Sequence, residues 1–247
     1  MVMAVIHRQR SLRYGIIVVL SLSIRHLQGV RRMVTTTAET HGPSGKRPKV
    51  FGLGLSRTGT KSLTVALHFL GLDVAHYPTD RESFAAMARG DGRFPLLEHY
   101  DGLTDIVTIP FLAELDALHP GSRFVLTVRA KEDWLRSMED HWRGKPVVIP
   151  GYEDMSAMRV RGFLRAAVFG CYEFNRERLA RVYDDHLARV RAYFHDRPGD
   201  LLVLDIVGGE SWEKLAPFLG YPPPDIPFPY TPTQVAMDEA YPKARLR

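Results

Sequence analysis

The stretch Phe51-Gly-Leu-Gly-Leu-Ser-Arg-Thr-Gly-Thr-Lys-Ser62 limits the folds open to this 247-residue chain more than any other. A short apolar run, Lys49-Val50-Phe51, enters a glycine-rich turn, and a helix-forming stretch from Ser62 to Leu70 leaves it. Strand, glycine-rich loop and helix in that order hold an anion: backbone N–H groups at the helix start converge on it and the helix dipole adds positive potential. Gly54 and Gly59 let the backbone turn and approach a ligand with no Cβ in the way. Ser56, Arg57, Thr58, Thr60, Lys61 and Ser62 add charge and hydroxyl donors. A bare strand-to-helix turn with no ligand would leave that many donors on one loop hard to satisfy.

The rest of the chain reads as alternating strands and helices. A helix face forms from Leu63, Ala66, Leu67 and Leu70 and stops at Gly71, and Leu72–His76 follows as a strand. Thr79-Asp-Arg-Glu82 has the capping-box pattern for a helix ending at Gly90. Gly102–Val107 is a third strand, and Pro110 suits the first position of a helix over 111–119. Arg123–Arg129 has the continuous apolar character of a strand covered on both faces. A helix from Glu132 to Trp142, an irregular loop over 144–151 and a long helical region over 156–194, broken near Phe174-Asn175, come next. Leu201–Ile206 is a fifth strand, and Ser211 caps a last helix running to Leu219. Five strands alternating with helices imply an open α/β fold with a parallel sheet covered on both faces. Ligands of such folds lie at the carboxyl ends of the strands. The opening loop, the Asp105 region and Arg129 all fall there.

Composition narrows the function. The net charge of +5 comes from six arginines in residues 1–38, which hold no acid, leaving −1 for residues 39–247. A near-neutral folded part with no basic run argues against a nucleic-acid surface. One cysteine, Cys171, excludes an internal disulfide and fits a reducing, cytoplasmic setting. Neither paired cysteines nor closely spaced histidines suggest a metal site. Tyr14–Ile24 is apolar but about eleven residues long, against roughly 20 for a transmembrane helix. It reads as a signal-peptide core, as an Arg-rich organelle transit peptide, or as a leader ahead of a start at Met33. Residues 1–48 are thus an extension and linker, 49–230 the folded domain and 231–247 a tail.

Arg129 ends a buried strand, and Ser137 lies eight residues later on the next helix. Gly54 and Gly59 have the spacing of the nucleoside-triphosphate loop G-x-x-x-x-G-K-[ST], but Thr60 separates Gly59 from Lys61, so the register fails by one. Ser56-Arg-Thr-Gly-Thr60 with Ser62-Leu63 instead resembles the 5′-phosphosulfate loop of sulfotransferases, and the Arg129/Ser137 pair resembles their 3′-phosphate element. Val125–Arg129, Trp134–Ser137, Leu201–Asp205 and the segment from Trp212 to Gly220 are similar to a short branch of that family with an Arg-Thr-Gly-Thr loop.

The resemblance implies a P-loop-like three-layer fold around a mainly parallel five-stranded sheet. It implies transfer of a sulfuryl group from 3′-phosphoadenosine 5′-phosphosulfate to a hydroxyl or amine of a small-molecule, sugar or lipid acceptor, with no metal. It places Arg57 at the family's catalytic lysine, stabilising the leaving oxygen. The amides of Thr58, Gly59 and Thr60 fall on the phosphosulfate cradle, with Ser56, Lys61 and Ser62 beside them, and Arg129 and Ser137 on the 3′-phosphate. Asp105 falls where the family carries its base, with Asp101 and His99 in reserve. Residues 81–100 and 142–165 would shape the acceptor pocket. Two other readings stand beside this one: a P-loop kinase or nucleotide hydrolase, which leaves Arg129 and Ser137 unexplained, and a non-catalytic nucleotide-binding module.

Overall fold

The computed structural model describes residues 47–143, 145, 147 and 155–230. The readings made for residues 1–46, for the tail from 231 onward and for most of the 144–151 loop lie outside the described residues. Five strands form one sheet: β1 (Val50–Gly52), β2 (Val74–His76), β3 (Gly102–Thr104), β4 (Arg123–Thr127) and β5 (Leu201–Leu204). Their order is β2-β3-β1-β4-β5 and every pairing is parallel. Among the described residues, seven α-helices connect and cover them: α1 (Thr60–Phe69), α2 (Arg81–Arg89), α3 (Leu112–Leu118), α4 (Lys131–Arg143), α5 (Met155–Leu164), α6 (Arg176–Tyr193) and α7 (Trp212–Phe218). The α/β architecture expected from the alternation is present.

Period-two alternation divides the strands between two cores. Phe51, Leu103, Phe124 and Leu126 face the larger one, with Trp134, Leu135 and Met138 of α4 and Leu179 and Val190 of α6. Val50, Val125 and Leu204 face the other, closed by Leu63, Ala66 and Leu67 of α1 and Trp212, Leu215 and Ala216 of α7. β1 sits at the centre of the sheet, its partners Phe51↔Leu103 on one side and Phe51↔Phe124 on the other, so its carboxyl end opens mid-edge. Among the described residues, no helix is long and apolar enough to cross a membrane.

Element ends differ from the sequence reading in instructive ways. α1 begins two residues earlier than expected, directly on the loop, because Gly59 turns the chain in the left-handed region (φ 97°). α2 is capped by Asp80, not Thr79: the Asp80 carboxylate accepts from the Ser83 N–H at 2.8 Å and the Ser83 hydroxyl at 2.7 Å. β3 stops at Thr104 because Asp105 takes φ 75°. Pro110 opens a 3-10 turn, Ile109–Phe111, that precedes α3. Ser211 occupies the cap position of α7, but its hydroxyl goes to Glu213 instead of a backbone N–H. The long helical region is interrupted where expected, through a π-helical segment, Arg165–Phe169, and an N-cap at Asn175.

Candidate active site

The loop from Leu53 to Gly59 is braced from beneath. Thr58 turns inward: its N–H donates to Leu55 O at 3.2 Å, its hydroxyl to the same carbonyl at 2.7 Å, and its Oγ1 lies 2.6 Å from Thr127 Oγ1 at the end of β4. Gly54 is required by that brace, since a Cβ there would lie 1.8 Å from Thr127 Oγ1. Trp134 Nε1 donates to Ser56 O at 2.9 Å, and His186 Nε2 lies 2.7 Å from Leu53 O. α1 therefore starts on a loop whose underside is held by β4, α4 and α6. The N–H groups that open such a helix point out of its end, toward the loop.

Asp105 gathers the β3 edge onto this loop. Its carboxylate accepts from Ser56 Oγ at 2.8 Å, Thr60 Oγ1 at 2.7 Å and its own neighbour's Ile106 N–H at 2.7 Å. Thr108 Oγ1 donates to Gly52 O at 2.6 Å and so ties the turn after Asp105 to the end of β1. His76, the last residue of β2, places Nε2 3.6 Å from Asp105 Oδ2. Burial pushes the His76 pKa below its ordinary value; Asp105 opposes that shift and Lys61 adds to it. Tyr77, the next residue, has its phenol pushed up by burial and then by Asp105.

On the other flank, Arg57 Nε donates to Ser137 Oγ at 3.0 Å and Arg129 Nη1 to Arg57 O at 3.3 Å. Tyr183 OH donates to Arg129 O, fixing the strand end that carries this guanidinium. Arg129 Nε is buried without a hydrogen-bond partner. Trp134 and Ser137 are three residues apart on α4, so one helix face holds both the loop backbone and its arginine. The surroundings are electropositive. His141 is pushed down to about 4 by burial, then by the charges of Lys145 and Arg57. Lys145 is lowered by burial and then by Lys61, Arg161, Arg57 and Arg165. Arg165 is buried, with its guanidinium 4.1 Å from the Trp142 ring centre and bonded to Lys145 O at 2.6 Å and Tyr172 O at 2.7 Å.

The structure thus gathers Ser56, Thr60 and Asp105 on one side of the loop and Arg57, Arg129 and Ser137 on the other. Ser62 is buried in the first turn of α1 beside Lys61. The reserve acids and bases lie elsewhere: Asp101 Oδ2 accepts from Asp73 N–H at the amino end of the sheet, and His99 precedes β3. Sequence reasoning passed over His76. The signal available was its place at the carboxyl end of a strand, the same criterion that picked out Asp105 and Arg129. Among the described residues, no group of three or more His, Cys, Asp or Glu side chains could hold a metal ion.

A parallel sheet whose central strand runs into a glycine-rich loop and helix defines the P-loop-like α/β class. Within it, a family model described as a sulfotransferase domain matches residues 49–237. The chain is also similar to Ava biosynthesis cluster protein M of Aspergillus versicolor, 28% identical over an alignment covering 74% of this chain and 80% of that protein. The chain belongs to the sulfotransferase domain family and is a sulfuryl-transferring enzyme.

Proposed function

We propose that this enzyme moves a sulfuryl group from 3′-phosphoadenosine 5′-phosphosulfate to a hydroxyl of a small-molecule, sugar or lipid acceptor. The observation that carries the donor assignment is the buried, unpartnered Nε of Arg129 beside the Arg57–Ser137 pair. A buried guanidinium edge left unbonded is costly, and a phosphate oxygen satisfies it in fork geometry. The donor supplies the sulfuryl group and its phosphate leaving group; everything else falls to the chain. Gly59 at the N-cap and Thr60, Lys61 and Ser62 in the first turn present amides to the phosphosulfate; the Thr58 N–H, expected among them, bonds Leu55 O instead. The hydroxyls of Ser56 and Thr60 are held by Asp105 and Thr58 is turned inward, so these side chains shape the cradle while Arg57 and Lys61 supply its charge. Arg57 remains cationic and stabilises charge on the leaving oxygen without donating a proton. Asp105 is the base that takes the acceptor's proton.

Calorimetric titration with adenosine 3′,5′-bisphosphate in the absence of Mg²⁺ tests this. The bisphosphate binds the wild type, and Arg129→Lys, which loses the fork, weakens it by about ten- to a hundredfold, the scale of a charge-assisted bond. Binding of ATP with Mg²⁺ and none of the bisphosphate overturns the assignment in favour of a nucleotide kinase or hydrolase. Bisphosphate binding without transfer of labelled sulfate to any acceptor extract leaves a binding module.

A further inference from the structure

A chain of polar groups runs from α1 through β3 and β2 to Asp105. Thr64 Oγ1 donates to Thr60 O at 2.9 Å and lies 2.7 Å from Thr104 Oγ1. Thr104 Oγ1 lies 3.1 Å from His76 Nδ1, and His76 Nε2 faces Asp105 Oδ2 at 3.6 Å. Thr64 Oγ1 also lies 3.3 Å from His76 Nδ1, and Thr104 Oγ1 3.5 Å from Ala75 O. With a neutral imidazole, three hydrogens, one each on Thr64, Thr104 and His76, serve these six contacts. The three shortest, at 2.7, 2.9 and 3.1 Å, take them, and the contact to Asp105 at 3.6 Å is too long for a hydrogen bond. The resting imidazole therefore carries its proton on Nδ1, toward Thr104, and holds the Nε2 lone pair toward the carboxylate.

From this geometry we infer that His76 is the proton store for the reaction, acting through Asp105; the inference rests on the sulfotransferase reading above. When the acceptor oxygen forms its bond to sulfur, the bridging S–O bond breaks and its electron pair leaves with the phosphate of the donor. The acceptor's O–H proton goes to Asp105 and on to His76 Nε2. The imidazolium then directs its Nε2–H at an ionised Asp105, and the proton leaves to solvent as product departs. His76 is a positioning and relay residue, since only Asp105 meets the acceptor. The charged and titratable groups acting on the imidazole are Asp105 at the end of β3 and Lys61 on α1. Tyr77, next in the chain, is itself sensitive to Asp105. Burial of the ring favours the neutral resting form that the relay requires.

The test uses the full chain with ¹⁵N-labelled histidine. The ¹⁵N shifts of His76 report a neutral ring protonated on Nδ1 near neutral pH. A resting imidazolium, or a ring protonated on Nε2, would already fill the last link and overturns the relay. Kinetics use water as the acceptor, following release of labelled sulfate from the phosphosulfate donor. His76→Asn keeps a donor toward Thr104 but cannot take a proton, and His76→Gln gives a second replacement. Each lowers the hydrolysis rate constant by about ten- to a hundredfold, within reach of lost general-base assistance. Each also straightens a curved proton inventory and moves the acid limb of the rate profile to lower pH. A purely structural role changes melting temperature and leaves the inventory curved, and that result removes the relay. Failure of the wild type to bind adenosine 3′,5′-bisphosphate removes the donor reading first, and the relay with it.

Discussion

His186 on α6 offers a test of how the loop is held that does not depend on the acceptor. Its side chain is 5% exposed, its Nε2 lies 2.7 Å from Leu53 O, and its Nδ1 is buried without a partner. The carbonyl can only accept, so Nε2 carries the hydrogen and Nδ1 a bare lone pair. Protonating Nδ1 would bury a charge, and burial accordingly pushes the pKa down to about 4 against the opposing bond to Leu53, with Arg189 adding to the fall. The folded state then binds this proton less readily than the unfolded state. Between the unfolded pKa of about 6.5 and the folded value near 4, the unfolded chain holds more protons, so stability is lost as pH falls through that window. At about pH 4.5 the loss from this one residue is about 2–3 kcal/mol. His186→Gln keeps an N–H for Leu53 O and does not titrate; His186→Leu removes the donor and leaves the carbonyl unpaired. Denaturant unfolding at about pH 7.5 and about pH 4.5 separates them. The glutamine variant is close to wild type at the higher pH and loses about 2–3 kcal/mol less on acidification. The leucine variant is weaker by about 1–3 kcal/mol even at the higher pH. Equal acid losses in wild type and His186→Gln would show that Nδ1 finds a proton or a partner in the folded state and refute the reasoning.

Three further outcomes are expected. Gly54→Ala drives a methyl group into Thr127 Oγ1 and breaks the Thr58–Thr127 brace, costing about 1–3 kcal/mol in unfolding experiments; pairing it with Thr127→Ala recovers part of that cost. Asp105→Asn keeps one acceptor oxygen for the loop but cannot take a proton. Its turnover falls by at least about a hundredfold while bisphosphate binding by calorimetry changes only a few-fold. Removal of residues 1–32 leaves sulfate transfer intact; a folded truncation without activity would give those residues a part in the reaction.

The glycine-rich loop was legible because its residues are contiguous: strand, two glycines, donors and helix lie within a dozen residues, and local geometry does the rest. Arg129 and Ser137 were legible for a similar reason, since a strand end and the helix after it keep a short, fixed separation. The fold followed from alternation. The order of the strands did not, and the missed contacts depend on it. His76 and Thr64 reach Thr104 only because β3 inserts between β1 and β2. His186 reaches Leu53 across 133 residues, and Tyr183 reaches Arg129 across 54. Nothing in local periodicity encodes which helix lies under which loop. Thr58 shows the converse: its place in the motif suggested a ligand donor, and only the neighbouring β4 reveals that its hydroxyl is turned inward to Thr127.

Backbone strain marks the same edge independently of any motif. Among the described residues, the left-handed region is occupied by eight glycines and by three other residues, Arg57, Tyr77 and Asp105. Each of the three costs about 1–3 kcal/mol that glycine would not. A chain selected only to fold would carry glycine there, as it does at Gly71, Gly90 and Gly121, where turns end a helix or lead from one into a strand. Instead these three lie just past the carboxyl ends of β1, β2 and β3, and each carries a side chain that glycine could not supply. Arg57 reaches Ser137, and Asp105 collects Ser56, Thr60 and Ile106. Tyr77 brings a half-buried phenol within the influence of that carboxylate. Strain retained at three adjacent strand ends and relieved by glycine elsewhere is the pattern expected of a site whose side chains must converge on one ligand.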